Sequence, residues 1–254
     1  MSDYDRFANA RAGAGVAGSG AAAIDQGLRA YMIGVYNYMT LGLGLTGLVS
    51  YGAYSLAGHE SATGRFIADG PLAGLYHAPL SYVVMLAPLG LVMYISAARN
   101  SMSVGTARAT VLAFAALMGL SMSAIFLVFT KASIANVFFE TAAAFAGLSL
   151  YGYTTRRSLS AMGSFMAMGL IGLIIAMVVN IFLQSSGLQW ALSVIGILIF
   201  AGLTAWDTQS IKESYFAGDA YEASEKKAIY GALRLYLDFI NMFQFLLQMF
   251  GDRR

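Results

Sequence analysis

Residues 190–211 read WALSVIGILIFAGLTAWDTQSI, an apolar run that carries one acidic residue, Asp207, close to its end. Residues 229–250 read IYGALRLYLDFINMFQFLLQMF and also contain a single acidic residue, Asp238. Each run has about the 20 residues that an α-helix needs to cross ~30 Å of hydrocarbon. A carboxylate at that depth costs ~2.5–3.5 kcal/mol on insertion scales, so it usually faces protein or a watery cavity. Two such aspartates on successive helices predict a pair.

The composition of the whole chain agrees with a membrane location. Hydrophobic residues make up 58% of the 254 residues, and charged residues only 11%. Soluble domains contain about 25% charged residues, so the chain is predicted to be an integral membrane protein whose partner is the lipid bilayer. A net charge of +2 is too small to indicate nucleic acid, and the absence of cysteine excludes disulfides and thiol catalysis.

Five further apolar runs precede these two, and together they predict an all-α, polytopic membrane protein with a seven-helix bundle. The predicted spans are 30–57, 79–98, 109–129, 134–153, 165–183, 190–211 and 229–250. Three prolines in the chain favour long helices over a β-barrel. Residues 29–254 are therefore predicted to form one membrane domain. Residues 1–28, rich in Gly and Ala, are predicted to be a flexible cytoplasmic tail.

The basic residues predict the orientation. With the N-terminus in the cytoplasm, ten Lys and Arg residues fall on the cytoplasmic side and four on the opposite side. Cytoplasmic loops of membrane proteins carry such an excess, which predicts that the N-terminus lies in the cytoplasm. Arg253 and Arg254 are the exception, and a re-entrant or shallow last helix would remove it.

Both aspartates belong to helical faces that are predicted to point inward. On the last two spans, residues at spacings of three and four line one face of each helix. The first face contains Ser193, Gly196, Phe200, Thr204, Asp207 and Ile211, and the second contains Gly231, Arg234, Asp238, Asn241, Phe245 and Gln248.

Two interpretations of the aspartates remain open at this stage. In the structural one, Asp238 forms an ion pair with Arg234 four residues earlier, and Asp207 accepts a hydrogen bond from a nearby Thr or Gln. In the functional one, the two carboxylates share one proton, because like charges a few ångströms apart disfavour double ionisation. Ionisation of the pair would then bias the packing of the two helices, as a proton-sensitive gate requires.

The same residues carry a family resemblance. TAWDTQSI at 204–211, the lysine-bearing loop after it, and ALRLYLDFINMF at 232–243 resemble the C-terminal signature of the Bax inhibitor-1 family, in a bacterial member. The resemblance covers residues 29–254 and implies a protein of the bacterial inner membrane. It implies a bundle with the last helix central and a pH-dependent calcium leak that is controlled by a buried aspartate pair. It also implies an arginine on the second helix that latches one aspartate, for which Arg99 is the candidate.

The predicted site is therefore a gate for protons and calcium ions and not an enzyme active site. Asp207 and Asp238 are its pH-sensing residues and transient Ca²⁺ ligands; no other cofactor is implied. Arg99 and Arg234 are the possible charge partners of the pair, and Thr204 and Asn241 its polar support.

Two other functional classes are alternatives to a gate. An intramembrane aspartyl protease also uses two aspartates on neighbouring helices. However, that class has Gly-x-Gly-Asp around its second aspartate, where this chain has Tyr-Leu-Asp238. The second class is a non-catalytic regulator that binds another integral membrane protein, such as an AAA-type membrane protease.

Glu140 is the remaining acidic residue inside a predicted span. It lies about a third of the way along residues 134–153. We expect it to reach the membrane interface, and an outer vestibule is the alternative.

Overall fold

A computed structural model describes residues 3–61 and 66–254, with side chains described from residue 25 onward. Residues 1–28 are the predicted flexible tail. Most of them lack described side chains, so the tail stays a prediction. The elements are α1 (Asp3–Ala57), β1 (His59–Glu60), β2 (Phe66–Ile67), a 3₁₀ helix (Ala73–Tyr76), α2 (Leu80–Ala98), α3 (Val104–Met122), α4 (Ile125–Val128), α5 (Lys131–Thr154), α6 (Ser160–Leu183), α7 (Ser186–Glu213) and α8 (Tyr221–Phe250).

The prediction of an all-α bundle with seven long helices is confirmed for the described part of the chain. Polar caps fix several of the boundaries. The hydroxyl of Thr130 accepts the amide N–H of Ser133 at 3.2 Å where α5 begins. The hydroxyl of Ser185 does the same for Leu188 at 3.3 Å before α7. Such caps satisfy N–H groups that have no partner within the helix, so the helices begin there.

Two local features differ from the prediction. The span predicted at 109–129 is divided into α3 and α4, because the hydroxyl of Ser123 donates to the carbonyl of Leu120 at 2.7 Å and the helix turns there. The long loop before α2 contains a short antiparallel hairpin, with His59 opposite Ile67 and Glu60 opposite Phe66. Two-residue strands have no periodicity that a sequence pattern can reveal.

The last long helix, α8, occupies the centre of the bundle, as predicted. It packs against α1, α3, α5 and α7. Leu235 and Leu247 are at most 1% exposed, which places α8 among protein side chains over most of its length. Six helices of the described chain are long and apolar enough to cross a membrane, and α8 is not among them. Its charged residues are tolerated because protein, and not lipid, surrounds it.

Residues 252–254 show that α8 crosses the whole bundle. The amide N–H of Arg254 donates to the carbonyl of Val128 at 3.0 Å, and its guanidinium contacts Glu60 at 3.0 Å. The first turns of α8 lie at the other end, where Glu225 binds Arg108 at 2.5 Å. We call these the Glu60 end and the Glu225 end. A re-entrant last helix is therefore not found, and Glu60 compensates the charge of Arg254.

The Glu225 end gathers the connections that the basic residues predict to be cytoplasmic. Tyr31 of α1 contacts Ser214 after α7, with hydroxyl oxygens 3.2 Å apart. Lys212 donates to the carbonyl of Tyr153 at 2.7 Å, which joins the ends of α5 and α7. The orientation of this end toward the cytoplasm stays a prediction.

Candidate functional site: an aspartate pair between α7 and α8

Helices α7 and α8 pack antiparallel along the two faces that the sequence singled out. A Cβ on Gly196 would lie 2.6 Å from the ring of Phe245, so only glycine permits this approach. The rings of Phe200 and Phe245 are stacked, with centroids 6.0 Å apart. At the Glu60 end, Ser193 contacts Gln248 at 3.5 Å. The predicted facing of the two helices is therefore confirmed.

Asp207 is held by an arginine of the neighbouring helix. Its side chain is 8% exposed, and Nε of Arg234 donates to its Oδ2 at 3.2 Å. A second donor of Arg234, Nη2, contacts the other carboxylate oxygen. The guanidinium also lies 5.3 Å from the ring of Trp206. Bidentate pairing and stacking together fix the guanidinium in one orientation.

Asp238 lies next to this ion pair and is less well satisfied. It is 5% exposed, and its Oδ2 is buried with no hydrogen-bond partner in the described part of the chain. Its carboxyl group faces that of Asp207, close enough for the two to repel when both are charged, and Arg234 attracts it. A buried oxygen without a donor is costly, and native proteins contain few.

The ion pair of Arg234 differs from the prediction. The sequence spacing suggested a local pair with Asp238, whereas the partner is Asp207 on α7. The antiparallel register explains the difference. Gly231 packs against Ile211, where an added Cβ would lie 3.1 Å from that side chain, and this register places Asp207 opposite Arg234 one turn further along.

Arg99 is not brought to the aspartates. It is exposed just after α2, with its guanidinium 5.7 Å from the ring centre of Tyr230. The hydroxyl of Tyr230 donates to the carbonyl of Arg99 at 3.2 Å. Tyr230 precedes Asp238 by eight residues, or about 12 Å along a helix. Arg99 was the candidate charge partner of one aspartate, but in this structure Arg234 is the arginine that binds Asp207.

The two predicted supporting residues bind their own helices. The hydroxyl of Thr204, fully buried, donates to the carbonyl of Phe200 at 2.7 Å. The amide of Asn241 donates to the carbonyl of Leu237 at 2.7 Å. Neither side chain donates to an aspartate in these contacts, so their role is to satisfy polar groups inside the helix pair.

A polar chain beside the site was missed by the sequence analysis. The hydroxyl oxygens of Thr208 and Ser149 are 2.9 Å apart, and those of Ser149 and Tyr36 are 2.5 Å apart. The chain links α7, α5 and α1 immediately next to Asp207. Isolated hydroxyl residues in apolar runs are common, so only the packing of three helices marks these as a group.

Neither of the two cavities described for the bundle is lined by the aspartates. The larger, of about 1420 Å³, lies between α1 and α5, and Phe239, Ile240 and Phe243 of α8 contribute to its mostly apolar lining. The smaller, of about 470 Å³, is lined by polar residues such as Asn180 and Gln248 at the Glu60 end. Neither of these two cavities therefore marks the acidic site.

The acidic site is too small to be a resident calcium site. Within the described residues, no group of three or more His, Asp or Glu side chains is placed to hold a metal ion. Ca²⁺ takes six to eight oxygen ligands, so two carboxyl groups supply only part of a coordination shell. Calcium at Asp207 and Asp238 would therefore be a passing ion.

Comparison with known proteins identifies the family. The family described as "Inhibitor of apoptosis-promoting Bax1" matches residues 28–254, which include the complete bundle. The chain belongs to the Bax inhibitor-1 family. The resemblance read from the two C-terminal motifs is thus confirmed.

Bacterial relatives of the Bax inhibitor-1 family match over nearly their whole length. Inner membrane protein YbhL of Escherichia coli K12 is 44% identical over 232 residues, which cover 90% of this chain and 94% of YbhL. Protein RP147 of Rickettsia prowazekii is 44% identical over 231 residues, or 91% and 92% of the two chains. Membrane protein SpyM3_0260 of Streptococcus pyogenes is 32% identical over 227 residues, or 89% and 94%. The chain is accordingly an integral membrane protein.

Proposed function

We propose that this protein is a pH-sensitive calcium leak of the bacterial inner membrane, gated by Asp207, Asp238 and Arg234. One observation carries the proposal: Asp238, which has a buried carboxyl oxygen without a donor, interacts with Asp207, and Arg234 binds both carboxylate oxygens of Asp207. Intramembrane ionisable groups that are buried together commonly mark ion pathways and proton relays. These three side chains connect the central helix α8 to α7, so their charge state affects how tightly the two helices pack.

The gate follows from the charges of the three side chains. With Asp207 ionised, Arg234 bridges α7 and α8 and holds the helices together. Protonation of Asp207 removes the charge partner of Arg234, so acid weakens the bridge and favours separation of the helices. Once the helices separate, two carboxyl groups can bind a passing divalent cation, and the ion moves on because the coordination shell is incomplete.

The geometry supports a gate better than it supports proteolysis. An aspartyl protease activates a water molecule between two carboxyl groups that share a proton. Here Arg234 engages both oxygens of Asp207. That arrangement leaves no free pair of carboxyl groups for water.

Calcium efflux from proteoliposomes tests the proposal. We expect efflux to be higher at a pH of about 5 than at about 8, because protonation of Asp207 releases Arg234. Asp207→Asn mimics the protonated residue and releases Arg234, so efflux should be high across this range. Asp238→Asn removes the repulsion within the pair, and should change the pH at which efflux rises.

Glu213→Gln is the matched control, because Glu213 is exposed at the end of α7 and far from the pair in the helix. It should leave the pH profile unchanged. Absence of efflux from the purified wild type at every pH in this range would contradict the leak. Efflux with the same pH profile in both aspartate variants would contradict the gate.

A further inference from the structure

Glu140 lies on the membrane-facing side of α5. It is nine residues after Lys131, or about 13 Å along the helix. The 24 residues of α5 extend about 36 Å, slightly more than a ~30 Å hydrocarbon layer. A layer centred on α5 would therefore hold Glu140 about 10 Å below its surface, which is the third of the span expected from the sequence.

The side chain of Glu140 points away from the bundle. Glu140 is exposed, while Val137, Thr141 and Phe145 on the opposite face of α5 are buried. In the described part of the chain, no hydrogen bond or ion pair is found for Glu140. Ionisable residues within membrane helices almost always face the interior and pair with another group. The described part of the bundle supplies no such partner for Glu140.

The residues around Glu140 leave room for another helix. On the same exposed face are Asn136, one turn toward the start of α5, and three small residues one or two turns further on, Ala143, Ala144 and Gly147. A Cβ added to Gly147 would have nothing within 4 Å, so no other part of the described chain covers this face. Small residues let a second membrane helix approach closely, and polar residues beside them can bond across the contact. We call these five residues the Glu140 face.

A second copy of this chain does not provide the missing charge. In the six membrane-crossing helices, the basic residues lie near the ends of the spans. They are Arg29, Arg108, Lys131 and Lys212. In α8, Arg234 is already bound to Asp207. A basic residue at the depth of Glu140 must therefore come from a different protein.

We propose that the Glu140 face is a docking site for a transmembrane helix of another protein, one that carries a lysine, arginine or histidine at the depth of Glu140. The opposite charges pair inside the bilayer, and the three small residues allow the two backbones to come close. The site is independent of the aspartate gate, since Glu140 and Asp207 lie on different faces and different helices. A result that contradicts the docking site therefore does not contradict the aspartate gate, and the reverse also holds.

Synthetic membrane helices test this site. The chain has no cysteine, so Ser158→Cys places a single donor dye in the exposed connection after α5. Energy transfer in phosphatidylcholine vesicles is measured to a labelled leucine–alanine helix with one lysine at its tenth position, and to the same helix without lysine. Interhelical polar contacts in membranes predict about 3- to 15-fold tighter association of the lysine helix. Glu140→Gln should abolish the difference, and Glu140→Asp should retain it.

Equal association of the two helices with the wild type would overturn the proposal, as would a lysine preference that survives in Glu140→Gln. A photoreactive residue at position 143 gives an independent readout in the membranes of the native host. The protein crosslinked there should carry a basic residue within its span, and its yield should fall in Glu140→Gln. Crosslinks only to lipid, to a second copy, or to a protein without such a residue would contradict the docking site.

Discussion

At the scale of single residues, the decisive contact is the one between Arg234 and Asp207. An isolated surface ion pair contributes little, but Asp207 is 6% exposed and its charge cannot be screened by water. Asp238 adds a second acidic group that repels Asp207 and attracts Arg234. The charges of these three side chains therefore interact with one another, and removal of any one changes the interactions of the other two.

Replacing Arg234 with glutamine should affect both stability and efflux. Asp207 would lose its charge partner, and we expect a loss of about 1–3 kcal/mol, below the value for a fully buried pair because Arg234 is 41% exposed. Calcium efflux at neutral pH should increase, since the bridge between α7 and α8 is gone. Thermal unfolding in detergent and efflux from proteoliposomes measure the two effects.

Arg99→Gln is the control for this variant. Arg99 contacts Tyr230 and not the aspartates, so its replacement should leave the pH profile of efflux unchanged. If Arg99→Gln abolishes the pH dependence and Arg234→Gln does not, the assignment of the latch to Arg234 is wrong.

Glu60 predicts a separate pH dependence outside the membrane. Hydrogen bonds from Tyr54, Lys131 and Arg254 lower the pKa of Glu60 from its ordinary 4.5 to about 2. A carboxyl group with a lowered pKa stabilises the fold above pH 4.5, and this contribution is lost as the pH falls from 4.5 toward 2. Glu60→Gln should therefore melt at a lower temperature than the wild type at neutral pH.

The difference in melting temperature between Glu60→Gln and the wild type should shrink as acid protonates Glu60. His59, which contacts Asp69 at 3.1 Å on the exposed surface, offers a control through His59→Gln. The difference in melting temperature between His59→Gln and the wild type should not shrink in this way below pH 4.5. A constant difference between Glu60→Gln and the wild type at all pH values would indicate a packing effect and not a charge effect.

At the scale of the elements, close helix contacts depend on individual glycines. Gly152 of α5 packs directly on the backbone of α7, where an added Cβ would lie 2.1 Å from the carbonyl oxygen of Ala205. A backbone atom cannot move aside as a flexible side chain can. Association of membrane helices depends on such close packing, because lipid and apolar side chains are equally hydrophobic.

Gly152→Ala should therefore separate α5 from α7 and destabilise the protein by about 1–3 kcal/mol, the usual cost of overpacking. Gly172→Ala in α6 is the matched control, since an added Cβ there has nothing within 4 Å. It should be neutral or stabilising by up to about 1 kcal/mol, because alanine favours helix. Unfolding in detergent compares the two, and equal effects would contradict the predicted contact.

At the scale of the whole molecule, α8 connects opposite ends of the bundle. Its first turns bind Arg108 through Glu225, while the residues after it bind Val128 and Glu60. The less apolar character of α8 is compatible with this path because the other helices enclose it. Six apolar helices and one enclosed helix thus form a single bundle with two distinct ends.

The path of α8 predicts which residues can be labelled from each side of the membrane. In this cysteine-free chain, Glu222→Cys and Arg253→Cys should react with an impermeant maleimide from opposite sides. Asp69→Cys in the loop before α2 should react from the same side as Arg253→Cys, because Glu60 and Arg254 are in contact. Labelling of Glu222→Cys only from the cytoplasm would agree with the predicted orientation.

Labelling of Glu222→Cys and Arg253→Cys from the same side would contradict a crossing α8. A cysteine at Phe182, exposed in the last turn of α6, provides a further check. It should be labelled from the same side of the membrane as Arg253→Cys. The reason is that the side chains of Gln189 and Gln248 are hydrogen-bonded at 2.6 Å, which places the start of α7 at the Glu60 end.

The sequence by itself determined the membrane class, the seven long helices, the inward faces of α7 and α8, and the family. These follow from local composition and periodicity, which indicate whether a segment or helix face contacts lipid or protein. The positions of Asp207 and Asp238 were predicted for the same reason, because an acidic residue in an apolar run needs a protein environment.

Only the tertiary structure decided which groups meet. Arg234 binds Asp207 and not Asp238, because the antiparallel register of α7 and α8 fixes their neighbours. Arg99 lies over the ring of Tyr230, because the end of α2 lies beside α8 there. The hairpin at Glu60, the chain from Thr208 to Tyr36 and the outward direction of Glu140 also depend on contacts between distant segments. A single sequence shows which residues lie on the same face of a helix. How far each helix is rotated and shifted against its neighbours depends on the packing of all the helices together.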